Sequence, residues 1–383
     1  MKRMLAESIV RLAAIVLPAR HRDWGRAMVV ELAAIESPGA ALSFAVGCLA
    51  AALREAASSR FPDRNLASEG TPLMHSPGNP LRYPRRLAAL CAVGATGLGL
   101  AYMAAAGAPL SYLAINAAAL AIGLLAIGIV TEAGRLWRVD AGAVGMALAC
   151  LILLTSLFGV SADGVTRWIS AGGIMLQPGL VLVPTVALGF AGTRSAASLL
   201  AVLIAALALS LQPDRAMAGA LAAGMAALAL ARPERAVLVA LGAALAAFTA
   251  TLARADPSPA VPFVDQIFYS SFDVHLLAGL AVIAGAALML VPAIAGYIRD
   301  PDQRPVYTVF GSVWLAAILA AALGNYPTPL VGYGGSAILG YLISLLGLPP
   351  RAAMRCGRDG AAVRPEAEEK RADPSKLSLG LIG

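Results

Sequence analysis

Three short stretches hold most of the residues whose types could do chemistry. The first, "VTRWISAGGIMLQPG" (165–179), sets Arg167 beside Trp168 and ends on Gln177-Pro178. The second, "RADPSPAVPFVDQIFYSSFD" (254–273), places Asp265 after a Pro-rich turn and ahead of Phe268, Tyr269 and Phe272. The third, "NYPTPLVGYGGSA" (325–337), is uncharged and contains Tyr333, Gly334, Gly335 and Ser336. A carboxylate shielded by aromatic rings has its pKa raised toward the range of a useful general base. A solvated loop aspartate is the plainer reading of Asp265. A guanidinium matches phosphate oxygens and keeps its charge, so Arg167 suits a phosphate. Beside Trp168 it suits equally well an anchor at a membrane interface. Asp273 precedes an apolar run and reads as a helix N-cap, with a secondary carboxylate as the alternative. The Tyr-Gly-Gly of the third stretch suits close helix packing and a broken helix start.

The elements that position these residues are apolar. Of 383 residues 59% are apolar and 13% charged, against about half and a quarter in an ordinary soluble domain. The apolar residues come in blocks near the ~20 residues that a membrane-spanning helix needs. They lack the two-residue alternation of a barrel strand. The expected fold is an all-α polytopic membrane protein. The net charge of +7 does not imply a nucleic-acid partner, because the arginines lie scattered at the ends of apolar runs. Cys48, Cys91, Cys150 and Cys356 are as dispersed as His21, His75 and His275, so neither a disulfide framework nor a metal cluster is signalled. Cys91, Cys150 and His275 read as packing residues. No cleavable signal peptide is expected, since Glu7 and Arg11 interrupt the first apolar segment.

Residues 1–60 read as an amphipathic helical prefix with helices over 5–17 and 23–35. Trp24, Met28, Leu32 and Ile35 share one face at helical spacing, which makes Trp24 a core residue. The apolar run 40–53 is short for a span. Residues 61–84, rich in Pro, Ser, Asn and Gly, read as a linker. A membrane domain over 85–350 then carries ten apolar runs, near 87–106, 110–130, 140–160, 178–193, 196–212, 216–231, 236–253, 274–298, 306–324 and 329–348. Residues 351–383 form a charged tail. One set of connections, with the start of the tail, holds Arg82, Arg85, Arg86, Arg135, Arg138, Arg194, Arg232, Arg235, Arg299, Arg304, Arg351, Arg355 and Arg358. The other holds Arg167, Arg215 and Arg254. That asymmetry is what the positive-inside rule asks of ten helices with both termini in the cytoplasm. The three stretches then share the outer side. The first should fold back as a reentrant or interfacial element, bent at Gly172-Gly173, with Pro178 starting the next helix.

Together the stretches resemble the SEDS family, the FtsW/RodA/SpoVE-like membrane proteins of bacterial shape, elongation, division and sporulation. Gly164, Arg167, Trp168, Ile169, Gln177 and Pro178 match a family segment in order and spacing, with Leu180 where that segment has glutamate. "PTPLVGYGGSA" matches the segment before the tenth helix. "FVDQIFYSSFD" puts Asp265 at the family's aspartate and Asp273 at the first of two glutamates. The resemblance implies ten transmembrane helices in a bacterial inner membrane and a peptidoglycan glycosyltransferase that polymerises an undecaprenyl-pyrophosphate-linked disaccharide. Asp265 would be its base, with Arg167, Trp168, Gln177, Tyr333, Gly334, Gly335 and Ser336 around the substrate. It also implies a single-span class B transpeptidase as partner. A divalent cation could accompany the pyrophosphate, though the sequence supplies no ligand cluster for one. The shortened 254–273 loop suits a non-catalytic scaffold or regulator of an envelope complex as the alternative. A lipid or small-solute transporter is the second alternative, and the scarcity of ionisable residues inside the ten runs argues against it.

Overall fold

The computed structural model describes residues 2–17, 22–35, 37–60, 83–136, 140–162, 165–254 and 259–350. The linker 61–84 (apart from its last two residues), the tail 351–383, Gly164, Cys356, His21 and His75 lie outside the described residues. Each of the ten apolar runs forms a helix. These are α4 (Pro84–Ala105), α5 (Leu110–Leu136), α6 (Ala141–Phe158), α7 (Pro178–Thr193), α8 (Ala196–Leu211), α9 (Arg215–Ala231), α10 (Arg235–Leu252), α12 (Leu276–Arg299), α13 (Arg304–Leu323) and α14 (Gly335–Ser344). An additional short helix, α11 (Ile267–Val274), lies in the second stretch, and three helices precede the bundle: α1 (Lys2–Val16), α2 (Arg22–Ala34) and α3 (Pro38–Arg60).

Among the described residues six helices are long and apolar enough to cross a bilayer, namely α4, α5, α6, α10, α12 and α13. The helices α7, α8 and α9 are apolar but have only 16, 16 and 17 residues. At 1.5 Å per residue that is about 24 Å, short of a hydrocarbon core of about 30 Å. Helix α7 can be short because it is central. Helix α7 is buried on all sides, from Leu180 and Val183 to Val186 and Phe190, as expected of a helix that is hydrophobic all round. Trp314, Tyr307 and Phe310 of α13 and Tyr341 of α14 fill the core beside it. The polar tips there are satisfied: the Tyr341 hydroxyl donates to the Met289 carbonyl at 2.9 Å, and the Trp314 indole to Ser344 Oγ at 3.3 Å.

Arginines mark the two rims of the bundle. At one, Arg85 donates to the carbonyls of Leu346 and Leu348, and Arg194 pairs with Glu234 at 3.3 Å. At the other, Arg215 donates to Thr251 and Arg254 carbonyls and Arg254 to that of Leu211. Both capture helix C-terminal carbonyls that lack partners within their own helix. The grouping of Arg215 and Arg254 on one rim and Arg85 and Arg194 on the other is the one the charge pattern implied.

The prefix forms its own core of Ala6, Val10, Ala13, Leu32, Ala41 and Ala45. The expected helices over 5–17 and 23–35 are present, but Trp24 is 54% exposed and is not a core residue. The cause is Gly25, whose added Cβ would lie 3.1 Å from Ala14 Cβ. Helix α2 crosses α1 at that glycine, which turns the preceding tryptophan outward and leaves Met28, Leu32 and Ile35 against the core.

Candidate active site

The first stretch folds back as an antiparallel three-stranded meander: β1 (Val160–Ala162), β2 (Val165–Ala171) and β3 (Ile174–Leu176). Strand β2 alternates, with Val165 and Arg167 buried and Ser170 exposed on the other face, the pleat of a half-buried strand. Ala171 pairs with Ile174 across Gly172 (φ 59°) and Gly173 (φ 83°). Both central residues have positive φ, the geometry of the tight hairpin turns that glycine adopts at least cost. The glycine pair bends the chain as expected, and Pro178 opens α7.

The hairpin ends on a polar knot. The Gln177 N–H donates to Ser336 Oγ at 3.0 Å, which ties the start of α7 to the start of α14. Gln177 Nε2 donates to Asp214 Oδ2 at 2.8 Å, and Asp214 Oδ1 accepts from Met217 N at 3.1 Å, capping α9. Asp214 has no exposed surface. A buried carboxylate persists only when hydrogen-bonded, and here both oxygens are.

The second and third stretches are joined along their backbones. Thr328 N–H donates to Val264 O at 2.9 Å, Tyr333 N–H to Phe263 O at 2.6 Å, and Gln266 Nε2 to Asn325 Oδ1 at 2.7 Å. Asn116 of α5, fully buried, holds the third stretch from beneath. Its Nδ2 donates to Gly332 O at 2.8 Å and its Oδ1 accepts from Gly334 N at 3.1 Å. Tyr112 stacks on Tyr333 at 3.8 Å between centroids and meets Phe263 edge-on at 6.3 Å. Gly332 is tightly enclosed: an added Cβ would lie 2.5 Å from Ile267 Cδ1 and 3.0 Å from the Thr328 carbonyl oxygen. Burial, and then the neighbouring Tyr112, push the Tyr333 hydroxyl above its ordinary pKa.

Asp265 sits where these elements meet and is 8% exposed. Its Oδ2 accepts from Val261 N at 2.9 Å. Burial raises its pKa above the ordinary carboxylate range, opposed by the Val261 N–H and the positive charge of Arg167. Flanking it, Phe263 (φ 64°) and Gln266 (φ 56°) both hold left-handed backbone, as does Leu330 (φ 62°) in the facing stretch. Such conformations cost about 1–3 kcal/mol each and persist only where the surroundings over-determine them. Arg167 is 5% exposed, and its guanidinium carbon lies 4.8 Å from the centre of the Trp168 ring.

The structure therefore brings Arg167, Trp168, Gln177, Asp265, Tyr333, Gly334, Gly335 and Ser336 to one end of the bundle. Asp273 is different. It is exposed in the last turn of α11, and His275 caps α12 by accepting from Leu277 N at 3.1 Å. The chain extends at His275 (φ −171°, ψ 146°) and so separates α11 from α12. That break leaves Asp273 before the cap position, and it makes His275 an exposed cap, not a packing residue. Two buried residues were missed. Asp214 had a visible signal, as the acid opening an apolar helix after a second Gln-Pro pair, Gln212-Pro213. Asn116 had a fainter one, as an amide within an apolar run.

No protein-family model and no curated protein matches the chain. Solved structures do. The chain is similar to Thermus thermophilus rod shape determining protein RodA, with a TM-score of 0.51 and 22% identity over 68% of this chain and 93% of that one. The chain has the fold of RodA. A RodA variant with an aspartate replaced by alanine matches with the same score and identity, over 94% of its length. A chain of a peptidoglycan synthase complex matches with a TM-score of 0.47. The RodA fold makes this a multi-pass helical membrane protein, and it accounts for the six long apolar helices and the shorter ones between them.

Proposed function

We propose that this chain is a SEDS-type peptidoglycan glycosyltransferase, with Asp265 as its general base. The observation that carries the reading is Asp265 itself: a buried carboxylate of raised pKa, held in a strained loop, whose neighbouring charge is Arg167 of the hairpin. Only Oδ2 is hydrogen-bonded among the described residues, which leaves Oδ1 to act. In the step proposed, an acceptor sugar hydroxyl loses its proton to Oδ1 as its oxygen bonds to the anomeric carbon of the donor. The bond from that carbon to the lipid pyrophosphate breaks, and the pyrophosphate leaves as an anion. Arg167 is placed to stabilise that charge, and Trp168 stacks behind its guanidinium. Among the described residues this end offers no carboxylate cluster for a cation, so a divalent ion would arrive with the pyrophosphate.

The arginine-poor rim with Asp265 would face outward across a bacterial inner membrane, and both termini would lie in the cytoplasm. A single-span class B transpeptidase would be the partner that crosslinks the strands. The transporter reading is weaker. The buried charged residues Arg167, Asp214, Asp265 and Asp300 lie at helix ends and in connections, not midway along the spans.

The test is purified protein incubated with lipid-linked disaccharide, with and without a transpeptidase partner, and glycan length read on a gel. Polymer from wild type and none from Asp265→Asn supports the reading. No polymer under either condition favours the non-catalytic scaffold.

A further inference from the structure

A groove of about 700 Å³ runs between α10 and α13 over an alanine- and glycine-lined face of α9. Its floor includes Ala223, and its walls include Phe248 and Leu319. Leu319 is 48% exposed, so the groove opens to the surroundings of the bundle. Those surroundings are lipid, and away from Arg215 and the 324–326 end the lining is alanine, glycine, leucine and phenylalanine, whose side chains offer no partners for water. From Arg215 at its polar end to Ala226 at its far end, α9 rises about 17 Å. One leaflet of a bilayer is about 15 Å deep. The groove therefore has the length of one acyl chain of one leaflet and stops near the midplane, short of what a long polyprenyl chain would fill.

The polar end is cationic. Arg215 lines it, with Arg254 nearby, and among the described residues no carboxylate pairs with either. Arg215 uses only Nη2 for hydrogen bonds among the described residues, on the carbonyls of Thr251 and Arg254, and Nη1 makes none. A guanidinium with uncommitted donors at the mouth of a hydrocarbon-sized groove complements a phosphodiester headgroup. We infer that this groove binds one anionic phospholipid, with its phosphate at Arg215 and an acyl chain along α9. The leaflet is the one that carries Asp265, because Asn325 of the same groove accepts from Gln266, the residue after Asp265. The lipid would brace the connection that holds the Asp265 loop. The inference does not depend on the proposed enzymatic activity.

The experiment uses the full chain, purified in detergent, delipidated and titrated with dioleoyl phosphatidylglycerol or dioleoyl phosphatidylcholine, with lipid retention read by native mass spectrometry. Wild type should retain one phosphatidylglycerol at least about tenfold more tightly than phosphatidylcholine, because both present a phosphate to Arg215 and only phosphatidylcholine adds a choline cation that Arg215 and Arg254 repel. Arg215→Gln should abolish the preference. Ala223→Phe, which fills the floor, should lower retention of both lipids, and Ala320→Phe from the facing wall should do the same should the first variant not stay monodisperse. Arg232→Gln, exposed on the opposite rim, should change nothing. Equal retention of the two lipids would overturn the inference, as would wild-type retention by well-behaved Phe variants. Displacement of phosphatidylglycerol by equimolar C55 polyprenyl phosphate would assign the groove to a different lipid and overturn it too.

Discussion

Replacing Gln177 by leucine removes one donor from a fully buried carboxylate and leaves everything else in place. The Gln177 backbone N–H still reaches Ser336 Oγ, and Asp214 Oδ1 still accepts from Met217 N. What is lost is the 2.8 Å bond from Nε2 to Oδ2. A hydrogen bond to a charged group contributes about 1.5–3 kcal/mol, and the orphaned oxygen has no water to turn to. Gln177→Leu should therefore destabilise the fold by about that amount. In an Asp214→Asn background the loss should be smaller, about 1 kcal/mol, because a neutral amide is cheaper to leave unpaired than a carboxylate. The coupling between the two sites is then about 0.5–2 kcal/mol. Cys91 is buried in α4, so in a chain whose other cysteines are replaced by serine, a thiol-reactive dye reports denaturant unfolding of the bundle. A Gln177→Leu protein within 0.5 kcal/mol of wild type, the small range of a neutral surface change, would refute the argument. So would an equal loss in both backgrounds.

Other consequences concern Asp265 and the topology. Asp265→Asn should lower polymerisation by about 10²–10⁴-fold, the usual contribution of a general base, while Asp273→Asn, exposed and away from the cap, should leave it near wild type on the same gel. The acid limb of kcat/KM should lie above the ordinary carboxylate range, because burial raises the Asp265 pKa, and Arg167→Gln should move it higher by removing a charge that favours the carboxylate. Stability has a matching slope. Between the unfolded pKa and the raised folded one, the native protein holds a proton that the unfolded chain has released, so stability falls as pH rises through that window; Asp265→Asn should flatten the slope in denaturant titrations. Single cysteines at Ser161 and Val261, both exposed, should react with an impermeant maleimide from outside the cell, and labelling at neither would end the proposed orientation. Deleting 1–60 should leave the bundle inserted in membranes on fractionation, since the prefix closes its own core.

How much of this was legible in the sequence follows from which signals are local. Apolar length is local, and each of the ten runs became a helix. Backbone chemistry is local too: Gly172-Gly173 could be read as a bend and Pro178 as a helix start, and both are. The hairpin was not read as strands. Its alternation spans only seven residues of β2, and flanking apolar blocks hide so short a period. The last apolar run was read as one helix over 329–348, yet α14 begins at Gly335. Of the six residues before it, Tyr333 bonds to Phe263 of the Asp265 loop and Gly332 and Gly334 bond to Asn116 of α5, long-range contacts that no window along the chain reports. Trp24 failed for a related reason. Its position on the apolar face was sound, but the crossing point at Gly25 decides which side of α2 is covered.

The positions around Asp265 show why a carboxylate in this place is costly to hold and useful once held. A loop free to relax would return Phe263 and Gln266 to ordinary backbone and carry Asp265 toward solvent, where its pKa would return to the ordinary range. Relaxation is opposed from three directions: by the Tyr333 N–H on Phe263, by Asn325 on Gln266, and by Asn116 beneath Gly332 and Gly334. The first two contacts come from the third stretch and the last from α5, and each is worth about 1 kcal/mol net. Together they match the about 2–6 kcal/mol that two strained residues cost. The acid is thus kept in an environment that raises its pKa by groups that never touch it, and Arg167 from the hairpin limits how far the rise goes. A base poised this way can take a proton from a weakly acidic hydroxyl and still be ionised before it does so.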